Sequence, residues 1–310
     1  MKKVHILLAI ALLSVGALLG QTEKKVNNSF SVGEAGSLTI KNSFGDINIE
    51  PFDGDRIEVE VTITIETRNE KDVQKYLDRI RIDASETGND VTLRTINNMN
   101  GGNRVKEFSI DYDVRVPRKT SLEIRNTFGD LMIESSEGIL DIDVQHGDAF
   151  IGGASARQER MHDLRLQFGD LKIEEISGAD IKVQHGDFII ERMGSGDIDL
   201  SFGEGRIERL SGRINLDIKH SELKVEEVLS DLDDLNVELQ FSEFRATGFQ
   251  NSDYEIDMEG SFTDFDFRGN FTIKGREKGM NSESYLVFTG QELNAKKVRI
   301  RGSHSDVNIE

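Results

Sequence analysis

Along most of the chain, apolar residues fall on every second position for about five residues, and a short polar or glycine corner then interrupts them. In 164–168 the apolar set is Leu164, Leu166 and Phe168; past Gly169 and Asp170 it resumes at Leu171 and Ile173. A period of two puts those side chains on one face of a strand, so the pattern predicts strand, corner, strand, corner. A second kind of corner falls at SSEG (135–138), ISG (176–178), GSG (194–196) and LSG (210–212).

The pattern repeats. Aligned on the Gly-Asp pair, NSFGDINIE (42–50), NTFGDLMIE (126–134), VQHGDAFIG (144–152), LQFGDLKIE (166–174), VQHGDFIIE (183–191) and LSFGEGRIE (200–208) share one phrase. IKHSELKVE (218–226), LQFSEFRAT (239–247), EGSFTDFDF (259–267) and GSHSDVNIE (302–310) replace the glycine with Ser or Thr. Successive corners from Gly129 to Thr263 lie 17 to 22 residues apart, and a further 42 separate Thr263 from Ser305. A sustained period near 20 residues marks a solenoid. Strands that each bury one face are stable only when stacked coil on coil, about 4.8 Å apart in parallel. The expected fold is therefore all-β, a single-stranded parallel β-helix, right-handed by the usual crossover preference.

Asp55 to Thr67 reads as a long alternating strand, and 69–80 carries Val73, Tyr76, Leu77 and Ile80 at helical spacing behind Asn69 as cap. Strands follow near 79–84, 90–96 and 107–116. The expected organisation is a signal peptide (1–20), first coils (21–53), a cap or insertion with one short helix (54–118) and the array (119–310), all on one continuous core. The last repeat runs to Glu310 without an obvious cap, which predicts an open edge for a partner, a second copy or fraying.

Tyr112 to Pro117 (YDVRVP) leading into LEIRNTFGDLMIE, behind strands with a helical insertion, resembles the bacterial putative-adhesin family of β-helical envelope proteins, over about residues 30–310. The resemblance implies an exported, non-enzymatic, surface-associated protein, and supplies no catalytic residues to carry over.

The N-terminus agrees with export. Met1 to Lys3 is basic, and Ile6 to Gly20 is an unbroken apolar or small run, the layout of a secretory signal cut after Ala17 or Gly20. An uncleaved anchor helix is the alternative. Without cysteine there is neither a lipid attachment site nor a disulfide. The formal charge of −19 speaks against nucleic-acid binding. The destination is the periplasm or the cell surface.

The candidate chemistry sits at the corners. Before Gly-Asp stand Phe128, His146, Phe168, His185, Phe202, His220 and Phe241, in strict alternation of Phe and His. These rings, with Gly129, Gly147, Gly169, Gly186 and Gly203, are expected to be structural: glycine at positive φ, aspartate closing an Asx turn, and rings such as Phe202 turned inward. If one repeat makes one coil, alternate histidines lie about 9.6 Å apart, too far to share a zinc ion; a coil of two repeats would stack His on His at about 4.8 Å and allow a metal ladder, but would be unusually large. Asp130, Asp148, Asp170 and Asp187 belong to a file of stacked acids, with Glu134, Glu174, Glu191, Glu208 and Glu226 forming another. Two carboxylates at that pitch repel by about 0.9 kcal/mol in water. Solvation or interleaved Lys172, Arg206 and Lys224 relieves this; calcium held by those four aspartates is the second reading. Polysaccharide-cleaving chemistry is the third: no tryptophan and four tyrosines leave few sugar platforms, and no nucleophile or metal-protease motif occurs. The reading is a non-catalytic binding or structural scaffold, with no cofactor and an envelope protein or glycan as partner.

Overall fold

The computed structural model describes residues 21–33, 35–67, 72–98, 105–155 and 161–310. The expected signal segment 1–20 and the expected cap residue Asn69 lie outside them. The described chain is all-β apart from two short helical turns, and it divides after Gly147 into two compact units.

In the unit ending at Gly147, Leu140–Gln145, Ser121–Asn126, Ser37–Asn42 and Asp90–Asn97 pair in parallel, and Ile80–Thr87 closes that file antiparallel. Like stacks on like: Ile142, Ile124, Ile40 and Leu93 are successive partners, all fully buried. A second file runs Leu131–Ile133, Ile47–Phe52, Val105–Pro117 in parallel. Arg56–Thr67 and then Gln21–Ser31 extend it antiparallel. The helix is one turn, Val73–Leu77, and buries Val73, Tyr76 and Leu77; Asp72 at its N-terminus makes no side-chain cap.

In the unit beginning at Asp148, successive repeats pair in parallel in two files, and the antiparallel exceptions are confined to residues 254–289. Leu171, Phe188, Gly205, Leu223, Phe244, Val307 and Phe265 form one row of register partners. Leu164, Ile181, Ile198, Leu216, Val237, Ile300 and Met258 form another. Burying each such side chain contributes about 1.5–3 kcal/mol, which is why the alternating phrase must stack to persist. Gly205 breaks the apolar row for a reason of volume. A Cβ there would lie 2.5 Å from the Phe188 ring and 2.7 Å from Leu223.

The last repeat corrects the sequence reading. Lys296–Ser303 pairs in parallel with Glu222–Gln240 on one side and with Tyr254–Ser261 on the other. Asp306–Ile309 is likewise held between Glu243–Ala246 and Asp264–Phe267. The C-terminal coil is thus inserted one place back in the stack, and the Glu310 strand presents no open edge. The antiparallel strands Ser282–Thr289 and Thr272–Lys278 cover the coil of Tyr254–Ser261 instead. A one-coil inversion of order leaves no trace in a periodic sequence, because every repeat offers the same pairing face.

Candidate functional site

Each corner of the second unit turns at its aromatic residue. Phe168, His185, Phe202, His220, Phe241, Phe262 and His304 have φ between 51° and 59°, in the left-handed region. The expectation of positive φ at the glycine is overturned for Gly147, Gly186 and Gly203, none of which is left-handed. Glycine is needed there because coils approach closely: a Cβ on Gly186 would sit 2.0 Å from the Gly169 carbonyl oxygen, and one on Gly203 2.0 Å from that of Gly186. In the first unit, Gly129 has a φ of 132°, and a Cβ added there would sit 2.2 Å from the Gly45 carbonyl oxygen.

The acids reach beyond their own corners and bond to the next coil. The Asp148 carboxylate accepts the Asp170 N–H at 2.9 Å, Asp170 accepts that of Asp187 at 2.9 Å, and Asp187 that of Glu204 at 2.7 Å. The file then changes its bonding. The Glu222 N–H reaches the Gly203 carbonyl at 3.2 Å, and the Glu243 N–H the Ser221 carbonyl at 3.0 Å. Beyond Asp187 these N–H groups go to backbone carbonyls; the acid is Glu at Glu204, Glu222 and Glu243 and Asp again at Asp264 and Asp306, whose N–H groups reach the Ser305 and Ser242 carbonyls at 3.1 and 3.0 Å. The corner glycine gives way to serine over the same stretch, and Ser242 Oγ donates to the Ile218 carbonyl at 3.0 Å.

The rings are outside. Phe168, Phe202, Phe241 and Phe262 are 51, 53, 49 and 57% exposed, so the expected inward placement of Phe202 is wrong. A left-handed corner residue swings its Cβ away from the strand face that continues into the core. The rings instead stack on one another in near-parallel planes: Phe168–His185 at 5.0 Å, His185–Phe202 at 4.9, Phe202–His220 at 5.1, His220–Phe241 at 5.2, Phe241–His304 at 4.8 and His304–Phe262 at 4.8. Alternation, broken in sequence order after Phe241, is complete in space because the His304 coil enters between the two phenylalanines. In the first unit, Phe44, Phe128 and His146 stack at 5.3 and 5.0 Å.

The second unit therefore carries a continuous ridge of stacked rings, with a file of carboxylates two residues further along each turn. A groove of about 690 Å³ beside it is lined by Asp187, Glu204, His220, Glu222, His304 and Asp306, among others. The Glu191 and Glu226 file is met by bases: Lys172 lies 3.9 Å from Glu191, and Arg206 and Lys224 lie 3.1 and 2.9 Å from Glu226. The Lys224 hydrogen bond, aided by Arg206, holds the Glu226 carboxyl below its ordinary range. In the ridge file, Arg245 pairs with Glu222 and Glu243.

Asp130, Asp148, Asp170 and Asp187, the calcium candidates, are strung out one per corner. Among the described residues no three His, Asp or Glu side chains converge as a metal site. Two features escaped the sequence reading. Asp163, Asp180, Asp197, Asn215, Asn236 and Arg299 are register partners on another face, with Asn215 donating to Asp197 at 2.5 Å and Asn236 to Asn215 at 2.9 Å. Burial, and then Asp197 and Asp163, raise the Asp180 carboxyl. Their signal was present: each stands five residues before a corner ring. His162 was missed as well; it is fully buried, and burial lowers its imidazole to about 4.

No protein-family model and no curated protein matches the chain. Among solved structures it is similar to a putative adhesin from Parabacteroides merdae (9% identity, TM-score 0.40, covering 92% of this chain and 96% of that one). It is also similar to a putative adhesin from Bacteroides fragilis (11%, 0.36, covering 92% and 96%). A third is a putative lipid binding protein from Parabacteroides distasonis (9%, 0.36, covering 92% and 96%). Likeness at that level leaves function to be argued from this chain's own geometry. No described helix is long and apolar enough to cross a membrane.

Proposed function

We propose that the chain is an exported, non-catalytic β-helical scaffold of the bacterial cell envelope, whose ring-and-carboxylate ridge is the face that binds an envelope protein or glycan. The carrying observation is the half-exposed phenyl at successive left-handed corners. A left-handed conformation costs a residue with a Cβ roughly 1–2 kcal/mol, and stacking returns about 0.5–1.5 kcal/mol per ring pair. Glycine or asparagine would hold the same corners without exposing apolar rings. A row of half-exposed phenyl rings, interleaved with imidazoles on a strongly charged surface, is a mark of an interaction site.

The groups with strongly displaced acidity lie away from the ridge. Tyr112 and Tyr254, both raised by burial to about 12, and His162 are buried in the fold and do not line the ridge groove.

A photo-crosslinking amino acid at Phe202, with a control at the exposed Asp199, tests the ridge in intact cells. A discrete product at 202 and none at 199 is expected; equal labelling at both positions overturns the reading. Mass spectrometry of the mature N-terminus tests export, with a start after Ala17 or Gly20 expected and an intact Met1 counting against it.

A further inference from the structure

The ridge has a period as well as a composition. Its ring-to-ring steps run from 4.8 to 5.2 Å, so like rings recur about every 10 Å, twice the strand spacing. Stacking covers the ring faces between neighbours, so the exposed rings turn mainly their edges outward. A ligand that lies flat on one ring is therefore a poor match. One that runs along the axis, offering a similar group at each step and the same group at each second step, is a good one.

A β-1,4-linked sugar chain in its extended two-fold form has that repeat. It advances by nearly the same step per sugar and turns over at every residue, so identical groups face one side at alternate sugars. We propose that the ridge binds an uncharged β-1,4-linked N-acetylhexosamine chain laid parallel to the stack axis. The inference rests on the ridge being the binding face proposed above.

The chemistry along the ridge follows the same alternation. The acetamido methyl of every second sugar falls over a phenyl edge, at Phe168, Phe202, Phe241 and Phe262, each about half exposed. The intervening sugars meet His185, His220 and His304, whose imidazoles exchange hydrogen bonds with hydroxyls, His304 through Nε2 because its Nδ1 is shared with Ser303 Oγ at 3.2 Å. At every step a carboxylate stands two residues beyond the ring, from Asp187 through Glu204 and Glu222 to Asp306, and it accepts from hydroxyl or amide N–H groups. The same carboxylates exclude uronic or sulfated chains by like-charge repulsion. Chains with α-1,4 or β-1,3 linkage coil, and fall out of step with rings spaced 4.8 to 5.2 Å apart within a few sugars.

Calorimetry of the whole protein with chitohexaose, maltohexaose and laminarihexaose tests this. Chitohexaose is expected to bind, more tightly than chitobiose by at least about tenfold, because added sugars meet added coils. Phe202→Ser and His220→Ser, each with unchanged far-ultraviolet dichroism, are expected to weaken it about tenfold. Equal binding of maltohexaose, or undiminished binding by both ring variants, overturns the register argument. No chitohexaose binding at millimolar ligand while Phe202 still cross-links a discrete partner removes the glycan and leaves the ridge. Failure of both removes the ridge too.

Discussion

His304 stacks on Phe241 with ring centroids 4.8 Å apart, although Phe262 comes between them in the chain. The final repeat has slipped between two coils already adjacent in sequence, so its buried residues are held on both sides. Ile300, fully buried between Val237 and Met258, is therefore a core residue. Ile300→Ala is expected to cost about 3 kcal/mol in urea unfolding, within the usual range for a buried Ile-to-Ala change. A frayed terminal strand would lose well under about 1 kcal/mol.

Outward stacking at the corners reverses what burial would predict for Phe202. Phe202→Ala loses two ring contacts and little burial, so about 1–2 kcal/mol is expected. Phe244, fully buried in the neighbouring row, should lose about 3–5 kcal/mol on the same change. Denaturation of the two variants side by side decides the orientation, because inward placement would make the losses equal. Phe202→Gly is expected to recover part of the Phe202→Ala loss, since glycine relieves the left-handed backbone.

Much of this fold could be read from one dimension. The period, the strands and the rows of like residues follow from alternation, because Leu164 and Ile181 must share a face if their strands stack in register. What a single sequence cannot reveal is direction at the corner. Whether Phe202 or Gly203 takes the left-handed turn decides inside against outside, and both residues fit the same letters. Coil order is equally hidden, since the phrase around His304 can pair with any other. The switch from Asp to Glu at Glu204 was visible, but its meaning required knowing which oxygen accepts the next coil's N–H.

That switch yields a contrast between neighbouring acids. Asp187→Ala removes the acceptor of the Glu204 N–H and is expected to cost about 1–3 kcal/mol, with Asp187→Asn retaining most of the stability because its amide oxygen still accepts. Glu204→Ala removes no acceptor from the next coil, whose Glu222 N–H bonds to the Gly203 carbonyl, and should fall within about 0.5 kcal/mol of wild type. Comparable losses at both positions in thermal or urea unfolding would show that the acids act through charge rather than through backbone bonding.

His162 makes the stability of the second unit depend on pH. Fully buried at the start of His162–Gln167, its imidazole is lowered by burial from 6.5 to about 4. In the unfolded chain it takes up a proton as pH falls through about 6.5, while in the fold it stays neutral until about 4. Between those values the unfolded state binds more protons, so stability falls on acidification through that window and levels off below it. The full difference corresponds to about 3 kcal/mol. Asp180 acts in the opposite sense, because a carboxyl raised in the fold favours the folded state as it protonates, but it is exposed and its effect is small. Comparing wild type with His162→Leu at pH 7 and pH 4.5 isolates the histidine. The leucine variant is expected to lose less stability than wild type between the two pH values. A difference between the two proteins that stays constant with pH would mean that the imidazole is free to protonate in the folded chain.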